Sequence, residues 1–236
     1  KTTTLYSALM AMGTKEHKIL SIEDPVEAVI PGVCQVSIKP QQGLDYADVL
    51  RASLRQDPDS LMVGEIRDEE TASIAVRAAV SGYMVLSSLH TSDVISTIAR
   101  LISLGVEGFL LSSALRLVVS QRLVRKLCPH CMEACSLDDH QRMQLEPYFN
   151  KKTLDKSFYA SKGCYYCNYT GYLGIMAVYE MLLLNKENLK SLRVNDYETF
   201  YHDIGKQLKG KTLLDSVLSL AQTKKTSIDE VLALIE

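Results

Sequence analysis

The chain has 236 residues, 47% of them hydrophobic and 23% charged, with 26 basic against 28 acidic side chains. That composition excludes a disordered polymer, and a formal charge of −2 argues against a nucleic-acid binder that works by overall charge. No run approaches the about 18 uninterrupted apolar residues of a membrane span. The longest candidate, 109–119, is broken by Ser112, Ser113 and Arg116.

Along the first 127 residues, short apolar runs alternate with amphipathic stretches. Lys18–Ile22, Cys34–Ile38, Leu61–Ile66 and Met84–Leu89 read as mostly buried strands, with Cys34 a small core residue. A helix is expected from the apolar run Leu5–Met12, and others over Tyr46–Leu54, Glu69–Val80 and Ser92–Leu104. The third would be capped by Asp68 and bury Ala72, Ala75, Val76, Ala79 and Val80; the fourth would be capped by Thr91 or Ser92 and stop at Gly105. Strands alternating with helices predict an α/β domain with a largely parallel sheet. From Cys128 to Cys167 the chain becomes polar and cysteine-bearing, with one helical candidate, Leu137–Leu145, and reads as a small inserted module. A last strand, Met176–Leu183, then leads into a helical tail: Asp196–Leu208, Leu213–Ala221, and a segment opened by Ser227 and Glu230 in capping-box spacing.

Lys1 and Thr2 precede a helix, as do the last two residues of the phosphate-binding pattern GxxxxGK[ST]. An ordinary Lys-Thr dipeptide on a helix is the alternative. Glu23 and Asp24 follow one apolar strand and Glu65 follows another, at strand tips where open α/β sheets bind ligands. Glu65 is the candidate general base, whereas Asp68 and Glu69 equally suit the start of a helix. His90 at a third tip could face a phosphate or its attacking water, or be structural. Arg51, Arg55 and Arg67 suit phosphate contact or salt bridges.

Six cysteines are too few for a disulfide framework. Cys128–Cys131 and Cys164–Cys167 form two CxxC pairs with 32 residues between them, which favours a closed tetrahedral Zn²⁺ site in a reducing compartment over buried thiols or a disulfide. His130 and Cys135 read as bystanders. The stretch between the pairs reads as too poor in apolar residues to hold itself without metal.

Taken in order, Glu23-Asp24-Pro25-Val26-Glu27, Leu50-Arg51-Ala52-Ser53-Leu54-Arg55-Gln56-Asp57-Pro58-Asp59, Val63-Gly64-Glu65-Ile66-Arg67-Asp68, Leu86-Ser87-Ser88-Leu89-His90-Thr91 and Gln121-Arg122-Leu123-Val124-Arg125 resemble the ATPases of type II secretion and type IV pilus assembly over essentially the whole chain. The resemblance implies a RecA-like P-loop NTPase core over 1–127, a tetracysteine zinc insertion over 128–168, and the end of the core with a helical subdomain over 169–236. It implies ATP and Mg²⁺ held by Lys1, Thr2 and Asp24, with Glu65 as catalytic glutamate and Glu23 and His90 completing the pocket. It further implies a homo-hexamer on the cytoplasmic face of the inner membrane, working on membrane platform proteins, without nucleic acid and without membrane insertion. Three departures stand out. The P-loop glycines and an N-terminal domain do not precede Lys1, so the chain alone is expected to bind ATP weakly or not at all. Tyr83 stands where the family has a histidine, and Ile175 where it usually has an arginine. The rival expectations are a nucleic-acid translocase on the same fold and an inert, zinc-stabilised interaction fragment.

Overall fold

A computed structural model describes residues 1–13 and 17–235, and the chain divides into two compact units. The first comprises 1–118 and 182–206, the second 119–181 and 207–236.

In the first unit, α1 (Thr2–Ala11) precedes β1 (Ile19–Glu23) and β2 (Val33–Ser37). Then come α2 (Tyr46–Leu54), β3 (Ser60–Val63), α3 (Glu69–Val80), β4 (Met84–Ser87), α4 (Val94–Ser103) and α5 (Gly108–Ala114). The four strands form one parallel sheet in the order β2-β1-β3-β4, with Leu20 opposite Cys34 on one side and Leu61 on the other. Central strands of a parallel sheet are covered on both faces, and every residue of β1 and β3 is buried. Cys34 is not the core residue expected. It lies exposed because β2 is an edge strand.

Helices α2 and α3 fall where the sequence predicts them, because Asp45 and Asp68 accept the amide protons of Asp48 and Thr71 and fix their starts. Val80, expected in the core, is 43% exposed at the end of α3. Asp93, rather than Thr91 or Ser92, caps α4, in a reciprocal box with Ser96. The strands also stop sooner than expected: β3 ends at Val63 and β4 at Ser87, which leaves Glu65 and His90 on the loops beyond them.

Strands β5 (Leu117–Leu127) and β8 (Tyr172–Leu183) are hydrogen-bonded to each other. Between them the second unit holds β6 (Met132–Cys135), α6 (Asp139–Leu145), α7 (Lys151–Leu154) and β7 (Phe158–Ser161). The chain continues through α8 (Lys186–Arg193), α9 (Tyr197–Leu208), α10 (Leu213–Gln222) and α11 (Ile228–Leu232). β6 and β7 pair antiparallel, with Cys135 opposite Phe158. The expectation of an apolar-poor insertion fails here. Leu145, Leu154 and Phe158 are almost wholly buried in one cluster with Val124, Val217 and Val231, which come from outside the 32-residue stretch. Apolar packing therefore contributes to this unit alongside anything the cysteines supply.

The expected capping box at Ser227 also fails. Ser227 caps α11 only by position; its hydroxyl lies 2.7 Å from the Tyr172 hydroxyl. The Glu230 carboxylate instead accepts from the Arg125 backbone amide and Nε, both at 2.8 Å, and from its Nη2 at 2.6 Å. The Glu230 side chain is only 10% exposed, so losing it would leave the part-buried Arg125 amide without this partner and a hole where the carboxylate stood. Glu230→Ala is expected to destabilise this unit by about 2–3 kcal/mol in urea titrations. A loss below about 0.5 kcal/mol would mean that water replaces the carboxylate. Among the described residues no helix is long and apolar enough to cross a membrane.

Candidate functional site

The loops beyond β1, β3 and β4 leave the same edge of a parallel sheet, and their side chains meet there. Glu65, just past β3, accepts from Arg67 Nη2 at 2.6 Å and faces His90 Nε2, just past β4, at 2.7 Å. Arg67 Nη1 also stands 3.9 Å from Asp24 at the end of β1. Lys1 Nζ donates to the Leu89 carbonyl beside His90, and the Thr2 hydroxyl donates to Glu27 Oε1 at 3.1 Å. Asp24, Arg67, Glu65 and His90 are thus joined by successive contacts, with Lys1 beside them, while Thr2 turns to Glu27. Glu65 is nearly buried, with 12% of its side chain exposed, whereas His90 is 76% exposed.

Glu23 is different. Its carboxylate is buried and accepts from the hydroxyls of Tyr6 and Ser21 and from Gln35 Nε2. These three bonds tie its carboxylate to α1, β1 and β2, so it braces the scaffold beside the cluster. Arg51 pairs with Asp48 and Glu70, and Arg55 donates to the Arg51 carbonyl; both stay on the exposed side of α2. Of the three arginines, Arg67 alone joins the cluster. Glu27 and Tyr6 were not read as site residues. The signal for Tyr6 was its place four residues after Thr2, one turn along the same face of α1.

Arg67 holds the Glu65 carboxyl below its ordinary 4.5; burial opposes this, while His90 and Lys1 add to it. The stability this carboxylate contributes is complete above pH 4.5 and is lost as pH falls through its lowered folded-state value. Arg67→Gln removes the main cause and leaves the burial. The Glu65 carboxyl resonance should then titrate at higher pH than in the wild-type chain, and an unmoved titration would contradict this account.

The second cluster is made of sulfur. Cys128, Cys131, Cys164 and Cys167 bring their Sγ atoms within 4.8 Å of one another. The contacts are 3.9 Å for Cys128–Cys164 and 3.8 Å for both Cys131–Cys167 and Cys164–Cys167. Four sulfurs about 2.3 Å from a tetrahedral zinc ion stand about 3.8 Å apart, which these three contacts match, so the donor set suits that metal. The Cys167 sulfur accepts the amides of Cys164 and Gly171, each at 3.2 Å. Burial opposes ionisation of Cys167, yet those amides outweigh it and bring the thiol down to about 6, while burial pushes Cys131 up to about 12. Gly171 has φ +78°, and a Cβ there would lie 2.4 Å from the Ser161 Cβ, so only glycine delivers this amide to the sulfur. His130 stacks on Tyr166 with ring centroids 4.2 Å apart, and Cys135 packs against the apolar cluster.

The family model of the type II/IV secretion system proteins matches residues 1–233. The chain belongs to this family. It is 45% identical over 185 residues to the type II secretion system ATPase E of Vibrio cholerae, covering 78% of this chain and 36% of that one. It is 41% identical over 233 residues to the type IV pilus assembly ATPase PilB of Thermus thermophilus, covering 99% of this chain and 26% of that one. This member of the family thus spans well under half the length of those two relatives. Among solved structures, the Legionella pneumophila ATPase DotB superposes with a TM-score of 0.70 at 22% identity, covering 100% of this chain and 56% of that one; this likeness establishes the fold.

Proposed function

We propose that this chain is the nucleotide-hydrolysing domain of a motor ATPase that drives type II secretion or type IV pilus assembly. The observation that carries the reading is Glu65, held between Arg67 and His90 at a strand tip beside Lys1. The parallel sheet is read as RecA-like, with the triphosphate at its carboxyl edge.

In this reading Lys1 would bind phosphate oxygens, and Thr2 and Asp24 would hold a magnesium ion. Bound Mg²⁺ supplies charge neutralisation on the phosphates. Glu65 is kept anionic by Arg67, so it accepts a hydrogen bond from water and fixes its line of approach. It takes the proton only as the phosphorus–oxygen bond forms. His90, open to solvent on the other carboxylate oxygen, steadies that orientation. Arg67, held beside Glu65 and Asp24, places positive charge where negative charge would develop on the transferred group. Glu23 holds the scaffold, and Arg51 and Arg55 take no part.

Zinc, bound by Cys128, Cys131, Cys164 and Cys167, supplies structural cross-linking here; four protein ligands close the site to chemistry. A homo-hexamer at the cytoplasmic face of the inner membrane, acting on platform proteins, is the assembly this reading requires. Mg-ATP turnover by a protein extended to the length of the family relatives tests it: turnover is expected, and its absence there would remove the reading.

A further inference from the structure

The Glu23 carboxylate is buried, and among the described residues it forms no ion pair. A carboxylate taken out of water without a cation has to be held by neutral donors. Ser21 and Gln35 donate to one oxygen, at 2.6 and 3.0 Å, and Tyr6 donates to the other. Ser21 belongs to the same strand as Glu23. Tyr6 and Gln35 come from α1 and β2, and both reach past Glu23 to the loop that follows it.

Residues 24–30 of that loop form no helix or strand, and Asp24, Glu27 and Val29 are exposed. Its backbone is nevertheless tied down by side chains. The Tyr6 hydroxyl, while donating to Glu23, accepts the Glu27 amide at 3.2 Å. The Gln35 side chain donates to the Ala28 carbonyl at 3.0 Å and accepts the Ile30 amide at 2.6 Å. Polar networks satisfied in this way rigidify what they touch. Tyr6 also stands one turn beyond Thr2 on α1, so the helix holds Glu27 twice: at its carboxylate through Thr2, at 3.1 Å, and at its amide through Tyr6. The Thr2 contact is exposed, where water competes for it, whereas the Tyr6 contact is part-buried.

We propose that Tyr6 and Gln35 are positioning residues for the magnesium site. They fasten loop 24–30 to the buried Glu23 carboxylate, and so fix where Asp24 on the loop stands relative to Thr2 on α1. Neither side chain touches metal or nucleotide; both act through Asp24. This deepens the hydrolysis proposed above and rests on it.

Two measurements test it. The first uses no nucleotide: deuterium uptake by the 236-residue chain. Tyr6→Phe and Gln35→Ala should each speed exchange of the 26–30 amides about threefold or more. Ser21→Ala removes a bond to the same carboxylate without reaching the loop, and should leave that exchange unmoved. The second is the Mg²⁺ dependence of ATP turnover in a protein of full family length. Tyr6→Phe should raise the Mg²⁺ concentration for half-maximal turnover about threefold to tenfold, with kcat at saturating Mg²⁺ within about twofold of wild type. Ser21→Ala should lower the melting temperature and leave the Mg²⁺ curve in place. Melting curves establish that each variant folds; should Gln35→Ala not fold, the conservative Tyr6→Phe decides. Both shifts are required: loop exchange or a Mg²⁺ curve unchanged by Tyr6→Phe, or moved equally by Ser21→Ala, would overturn the proposal. A wild-type protein without turnover removes the hydrolysis reading and this one with it. A wild type that turns over, with the Tyr6→Phe curve superimposed on its own, removes this one alone.

Discussion

Replacing Glu65 with glutamine in a protein of full family length should lower Mg-ATP turnover by about 10²–10⁴-fold while leaving nucleotide affinity within a few-fold. The two losses separate because the carboxylate acts on water rather than on the bound phosphates. Glutamine keeps the size and one hydrogen-bond acceptor of the side chain. It loses the charge that Arg67 and His90 grip at 2.6 and 2.7 Å, and with it the ability to take a proton. A drop in kcat with KM nearly constant would mark a group used in the transition state. Equal loss of affinity and rate would instead make Glu65 a scaffold for Arg67. Turnover within about threefold of wild type would remove it from the chemistry altogether.

Removing metal from the four cysteines should give the second large effect, and it should be confined to the second unit. One zinc per chain is expected by elemental analysis, and none after Cys128→Ser with Cys167→Ser. Structural zinc contributes about 10–16 kcal/mol in small peptides that fold around it. Here Leu145, Leu154 and Phe158 already hold an apolar cluster, so the loss should be partial. A loss of about 3 kcal/mol corresponds to a melting shift of about 12–24 °C for a unit of this size. Proteolysis after chelation should open the loops around Cys128–Cys131 and Cys164–Gly171 before it reaches α6, and leave the parallel sheet intact. Unchanged melting and cleavage would mean that the thiols hold no structural metal.

Much of the sheet and its edge was legible because the signals were local. Asp45 and Asp68 cap helices whose apolar spacing follows at once, and α2 and α3 begin and end where that spacing says. Apolar runs that end in Glu23-Asp24, Gly64-Glu65 and His90 announce strand tips. The pairing of Glu65 with Arg67, and the retreat of Glu23 beneath Tyr6 and Gln35, depend on which strands become neighbours and were not visible. Cys34 misled because its strand pattern does not tell an edge from a centre. The second unit was misjudged for the same reason of distance. Leu145 and Phe158 look too few among polar residues until Val217 and Val231, from a later stretch of the chain, are counted with them. Ser227 and Glu230 have capping-box spacing, yet Arg125, 105 residues earlier, takes the carboxylate.

The second unit is assembled from two stretches separated by 182–206, which belong to the first. During synthesis all strands of the parallel sheet emerge early and can pair while translation proceeds. The antiparallel pair of β6 and β7, with the helices between them, and the four thiols also leave the ribosome before residue 182. Their apolar side must then wait, uncovered, until the stretch after residue 206 brings Leu213, Val217 and Val231 to close over it and Glu230 to fasten onto Arg125. A stop codon just ahead of α11 would therefore release the nascent module with its greasy side still open, as a substrate for chaperones and proteases.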